Sequence, residues 1–384
     1  MGRTDGDPAS GVPSFMPSAS VADGRDPDPP SLTPLARWRL AARLLAGSGQ
    51  GWWQAGRFFA RGLADRKRTG DWLAHLASPD LIRAWQASPE LATRLQGEYL
   101  DLAWTETERL DALVGHHGSL ADLFGPLELE ALYLGLVPLV RLRRPDGQGR
   151  VEIVLGHRRE WGRCGELVLA VTEPRSGGLI AALTFSFTFS FGRRVILIGG
   201  LHAETGATAR ELVHELPRDM HGLRPKALAL WALQELGSLW RIEAIHAVPD
   251  ARAVRPDRAL GDWVEESGDQ FWLESDGRRL PDGAWELPRQ FRPRLREELK
   301  PSRRRTHERR YAMLASLRPL LLEAGRTVMS NPAGTGLVQP PEFPLEPAVE
   351  LSGHSAWPMP LPPSTPPDDP DLMQPGEVSP IPAS

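Results

Sequence analysis

A single cysteine, Cys164, stands among 384 residues, so no disulfide can form within the chain. No run of 18 apolar residues occurs, and the opening MGRTDGDPASGVPSF lacks the apolar segment of a signal peptide. Neither a spanning helix nor a secretory leader is therefore expected, and the default compartment is the cytoplasm. The ten histidines fall at no ligand spacing with a nearby acid, and the adjacent His116 and His117 point apart, so no metal is expected. There is no G-x-S-x-G elbow, Walker A loop or dinucleotide fingerprint, and Cys164 follows Arg163 in a turn rather than in a nucleophile's setting. A net charge of −4 argues against a chain that binds nucleic acid generally, which leaves only local basic faces to consider.

What is present is unevenly distributed. Of 37 prolines, 7 precede Leu35 and 15 follow Ser330, in stretches rich in small and polar residues. Such segments bury too little apolar surface to offset their ordering entropy. Residues 1–34 and 327–384 are therefore expected to be disordered tails. Between them lie a helical segment, 35–128, and an α/β core, 129–326, about 290 residues in all.

Residues 35–68 predict two cationic amphipathic helices broken at Gly47–Gly51. Trp38, Trp52 and Trp53 lie among eight basic residues, with Asp65 the sole acid, so for these helices packing on the core competes with lying on an anionic membrane or partner surface. Short helices follow to about 128, with Ser78-Pro79 and Ser88-Pro89 as helix entries. Apolar or alternating runs at 132–142, 151–155, 167–172, 180–191 and 195–198 predict a meander of antiparallel strands. In the fourth run Leu183, Phe185, Phe187, Phe189 and Phe191 share one face. Two helices then lead to a strand at 242–248, expected beside 195–198, and a long helix over about 302–324 closes the core. The fold class is thus α/β or α+β: N-terminal helices and a mostly antiparallel central sheet with crossover helices.

Between those two helices the chain reads His221-Gly222-Leu223-Arg224-Pro225-Lys226. Pro225 opens the second helix, whose free first-turn N–H groups, together with Gly222, Arg224 and Lys226, could seat a phosphate or carboxylate. His221 would move a proton near neutral pH, and His246 lies on the strand that follows. The same residues also suit an ordinary helix–helix junction, with Pro217 ending the first helix and Gly222 making the bend. A second feature is the cluster Arg303, Arg304 and Arg305, with Arg309 and Arg310, on a helix whose apolar face is Tyr311, Leu314, Leu317 and Leu321. Its bland reading is a solvated face; its sharper one is contact with the phosphates of a membrane. With no interleaved aromatics, nucleic acid is the less expected partner.

The block VILIGGLHAETGATARELVHELPRDMHGLRPKALALWALQEL, residues 195–236, resembles the central segment of the VirK/YbjX family of Gram-negative bacteria. Further matching motifs occur in order: Tyr99-Leu100 to His116-His117, Leu183 to Phe187, Phe271 to Glu274, and Lys300 to Arg304 with Arg309-Arg310-Tyr311. After Val248 the family pattern leads one to expect Ser-Asn and then a His and a Tyr, where this chain has Pro249-Asp250-Ala251-Arg252-Ala253. The resemblance implies an accessory role connected with virulence, surface-protein display and tolerance of antimicrobial peptides, with no assigned reaction. Its partner would be an anionic membrane surface or an envelope protein, and no cofactor is called for. The order of elements also loosely resembles the GNAT acyltransferases. That likeness implies acyl-CoA at the 221–226 turn, although a helix intervenes after the strand and the usual glycine signature is absent.

Overall fold

The computed structural model describes residues 32–345, apart from 49–50, 146–149, 175–177, 205–206, 257–262, 266 and 331–338. The tails expected over 1–31 and 346–384 lie outside the described residues.

The N-terminal third is helical: α1 (Pro34–Gly47), α2 (Gly51–Ala64), α3 (Arg66–Leu76), α4 (Ile82–Ala87), α5 (Glu106–Leu123) and α6 (Pro126–Leu134), with a 3-10 helix over Pro89–Gln96. Capping chemistry sets several of these starts. Thr33 accepts from Ala36 N ahead of Pro34, and Thr105 with Glu108 forms a reciprocal capping box at α5. The 3-10 helix enters at Ser88-Pro89, where Ser88 makes no side-chain cap.

Strands β1 (Leu136–Arg143), β2 (Arg150–Gly156), β3 (Leu167–Glu173), β4 (Gly178–Ser190) and β5 (Arg193–Glu204) form the expected antiparallel meander, except that residues 132–134, expected in the first strand, end helix α6. Helices α7 (Ala207–Asp219) and α8 (Pro225–Leu239) carry the chain to β6 (Ala244–Ala247), which pairs parallel to β5 with Val195 opposite Ala244. The remaining elements are β7 (Trp263–Glu265), α9 (Gly268–Glu274), β8 (Arg278–Arg279), β9 (Trp285–Leu287), α10 (Pro301–Ser330) and β10 (Glu342–Pro344). Among the described residues the sheet has ten strands in the order β10-β1-β2-β3-β4-β5-β6-β9-β8, with β7 pairing to β5.

Both faces of the sheet are covered. Phe185 and Phe187 of β4 are buried against Trp240 at the end of α8, and His116 of α5 stacks on Phe187 at 5.7 Å. The opposite face carries a second cluster, Val154, Val168, Ala170, Leu179 and Ala182, closed by Trp161 from the β2–β3 connection. The shared face of β4 does not stay in the core to its end. Phe189 is half exposed and Phe191 fully so, because β4 runs past the core into the turn where Phe191 takes φ 50°.

Two further expectations change. Pro217 lies within α7 rather than ending it, and the helix runs on to Asp219. Past residue 327, in the stretch whose composition suggests a tail, α10 continues to Ser330 and β10 adds a strand parallel to β1. Leu345, directly after β10, is buried, and Glu342 lies 3.5 Å from Arg150 and 4.0 Å from Arg141.

Candidate functional site

The α7–α8 turn is built by backbone demands. Gly222 takes φ 77° and its N–H donates to Pro217 O, while His221 takes φ 51°. The side chain of Arg310, on α10, donates from Nε and Nη2 to His221 O at 3.1 and 3.0 Å. A Cβ on Gly222 would lie 2.8 Å from Arg310 Nη2, so glycine serves that close approach as well as the bend. Arg224 is 63% exposed and pairs with Glu274 at 3.2 Å; Lys226 lies over the Phe271 ring at 5.0 Å. Asp219 and Glu215 pair instead with Arg144, at 2.7 and 3.0 Å. Burial, then the nearby charges of Arg309 and Arg310, lowers the pKa of His221.

His246 does not join this turn. Helix α8 passes over β5 so closely that a Cβ on Gly237 would touch Ile196, which pairs with Ile245. Alternation along β6 therefore turns His246 to the other face of the sheet, where Glu286 of β9 is its cross-strand neighbour. Asp250, beyond β6, accepts from Ser267 Oγ and from the N–H groups of Gly268 and Asp269, so it caps α9.

The tryptophans of α1 and α2 divide. Trp38 turns inward and stacks on Phe59 at 5.5 Å, because Gly62 opposite it leaves room for the ring. Trp52 and Trp53 are each 78% exposed, on a face shared with exposed Arg57, Arg61 and Leu63. On α10, Arg303 and Arg305 are exposed, while Arg304 Nε is held by Leu299 O at 3.2 Å.

The densest chemistry lies elsewhere, in a cleft of about 530 Å³ between the α1 end, the α4 end, the α6 end and the chain after β2. Ser88 and Glu90 come from the entry to the 3-10 helix, Tyr133 from α6, and His157, Arg158 and Arg159 from the segment after β2. Ser88, Glu90, Tyr133 and His157 are all buried. His157 joins the cleft to a deeper ion pair. Its Nδ1 donates to Glu166 O at 2.7 Å, and Arg94 Nε meets Glu166 Oε1 at 3.0 Å. Its Nε2 lies 3.8 Å from Glu90 Oε1, an electrostatic contact longer than a hydrogen bond. A Cβ on Gly162 would fall 1.9 Å from Arg94 Nη2, so only glycine leaves the guanidinium its place.

Burial works against the charge on Glu90, but the His157 contact and the charge of Arg94 outweigh it and hold the carboxyl down at about 2. Burial pushes Glu166 up, with Arg94 and His157 pulling it back. Arg94 itself stays firmly cationic, because Glu166 and Glu90 outweigh its burial. The Tyr133 ring lies tilted against His157 with centroids 4.9 Å apart, and its hydroxyl lies 3.0 Å from His117 Nε2. His117 Nδ1 donates to Leu113 O, so the tyrosine O–H donates to Nε2, and burial lowers the His117 pKa to about 3.

The family described as "Protein of unknown function (DUF535)" matches residues 48–321. The chain belongs to this family. DUF535 is the VirK/YbjX family, and the match begins at Ser48, so it takes in the whole cleft, α2 and the α7–α8 turn while leaving α1 outside. Over 324 residues the chain is 24% identical to the "Uncharacterized protein YbjX" of Escherichia coli (strain K12), covering 79% of this chain and 94% of that protein. It is 25% identical over 129 residues to an "Uncharacterized protein" of Haemophilus influenzae (strain ATCC 51907 / DSM 11121 / KW20 / Rd), covering 34% and 43% respectively. No solved structure matches the chain, so the likeness to the GNAT acyltransferases gains no support from that side.

Within this DUF535 chain the cleft escapes a motif-based reading because its residues come from four separated segments. One signal was available. His157-Arg158-Arg159-Glu160 and Glu166 sit between two strands, Val151–Leu155 and Leu167–Val171, that are apolar almost throughout. Charge confined between buried strands has to be paired inside the protein. Among the described residues no group of three or more His, Cys, Asp or Glu could hold a metal ion, and no helix is long and apolar enough to cross a membrane.

Proposed function

We propose that this DUF535 protein is a non-catalytic accessory factor that docks on an anionic membrane surface, the inner face of the cell membrane, through the outer face of α2. The observation that carries this reading is the pair Trp52 and Trp53, both largely in water beside Arg57 and Arg61. Tryptophan gains most where one side of the ring is apolar and the other wet, and each arginine near an anionic surface adds roughly 1 kcal/mol. The exposed arginines 303 and 305 at the start of α10, where the helix dipole is already positive, add a second surface suited to phosphates. The VirK/YbjX link with the envelope and with antimicrobial-peptide tolerance agrees with such a partner.

Flotation with phosphatidylglycerol vesicles tests this. The protein should rise with the vesicles at low salt, and Trp52→Ala with Trp53→Ala should leave it at the bottom. A parent protein that stays at the bottom at low salt refutes membrane docking.

The alternative is an acyl-CoA or other phosphate-bearing ligand at the 221–226 turn. It is favoured by one observation: α8 begins without a side-chain cap, beside the well-exposed Arg224. Acetyl-CoA at millimolar concentration should then raise the melting temperature, and no rise counts against it.

A further inference from the structure

Polar groups buried in a folded chain nearly always find a partner, so a cluster that does not calls for an explanation. The cleft beside the 3-10 helix holds such a cluster. Ser88 Oγ, His157 Nε2 and Arg159 Nη2 are all buried atoms that make no hydrogen bond, and all three residues line the same cavity. Ser88 and His157 are themselves only 2% and 4% exposed.

The charges around them are already matched. Glu90 Oε1 lies 3.8 Å from both His157 Nε2 and Arg159 Nε, and Arg158 Nε lies 3.4 Å from Glu160 Oε1. An ionic ligand would have to break one of these pairs. What remains unmet is hydrogen bonding: a hydroxyl that can donate and accept, a ring nitrogen, and a guanidinium N–H. Ala87, Pro89, Leu134 and Leu136 supply apolar wall beside these groups. Donors and acceptors packed closely on an uncharged frame with C–H faces are the chemistry of vicinal hydroxyls. At about 530 Å³ the cavity falls within the range of small-molecule sites.

We propose that this cleft binds a small uncharged polyhydroxylated ligand, of the size of a mono- or disaccharide, through Ser88, His157 and Arg159. The site is independent of the membrane-docking face, because it needs neither tryptophan nor lipid.

Ligand-observed NMR and calorimetry on the full chain, without vesicles, test the proposal with glucose, N-acetylglucosamine and maltose as probes and inorganic phosphate as the ionic control. At least one sugar should bind, and phosphate should not bind better than it. Ser88→Ala removes a hydroxyl that makes no bond within the fold, so its melting temperature should match the parent while sugar binding weakens about fivefold or more. Arg159→Ala should weaken binding as well. The proposal is overturned if no sugar binds at about 20 mM, if phosphate binds more tightly than every sugar, or if both variants bind as the parent does.

Discussion

The α7–α8 turn and the cleft at Glu90 and His157 offer opposite lessons about where chemistry sits in a chain. The turn is contiguous, and its charged side chains, Arg224 above all, face water beside local partners. The cleft is scattered over more than a hundred residues, yet Glu90, Tyr133 and His157 within it are buried, and the His157 contact together with Arg94 keeps Glu90 ionised. A motif shows itself in sequence when neighbours along the chain do the work. A buried network does not, because its neighbours are made by folding.

The sharpest way to break that comparison is to remove one charge from each region. Arg94→Met strands Glu166 in the interior and should cost about 3–5 kcal/mol in a denaturant titration. A cost near zero would mean that the buried pair contributes nothing to the fold.

Acid should separate the regions next. His117 and His202 are held neutral by burial, with pKa values lowered to about 3 from the usual 6.5, and His116 is lowered as well. The unfolded chain protonates first. The stability that goes with their neutrality is therefore complete above pH 6.5 and lost as pH falls from there toward 3, at about 1.4 kcal/mol per pH unit for each histidine. Melting temperatures should already fall between pH 7.5 and 5.5, by an amount equivalent to about 3 kcal/mol. Glu90, held at about 2, carries stability present above its unfolded value near 4.5 and lost only as pH falls from there through about 2. A flat profile down to pH 5 would deny that these histidines are buried neutral.

Gly162→Ala should cost about 1–3 kcal/mol, because its methyl group would occupy the position of Arg94 Nη2. Paired with Arg94→Met the cost should shrink, since the obstructed group is gone; simple additivity of the two would break the steric explanation. Arg224→Ala comes last. A side chain this exposed, in a surface pair, should cost less than about 1 kcal/mol by thermal melting.

Much of the fold was legible because period and burial agreed. Leu183, Phe185 and Phe187 alternate and are buried, and the β5–β6 pairing follows from two apolar runs joined by two helices. Phe189 and Phe191 kept the period but not the burial, since periodicity does not reveal where a strand outruns its cover. Trp38 and Trp52 look alike in sequence, and only the packing of α1 on α2 separates the inward ring from the outward one. β10 was hidden by its setting: Pro341 and Pro344 lower strand propensity, but a parallel edge pairing needs few donors, and Arg141 N with Pro341 O and Leu345 N with Arg143 O supply its ends.

That returning strand has a consequence for how the molecule is handled. β1 would otherwise be the last strand on its side of the sheet, with a row of open amides inviting another chain. Glu342–Pro344 works as a sacrificial border, a short proline-flanked ribbon that occupies the rim and gives a newcomer little to extend. Trimming the protein at the end of α10, a natural place to cut by composition, would strip off that border. The trimmed protein would expose a bare rim and lean toward self-association.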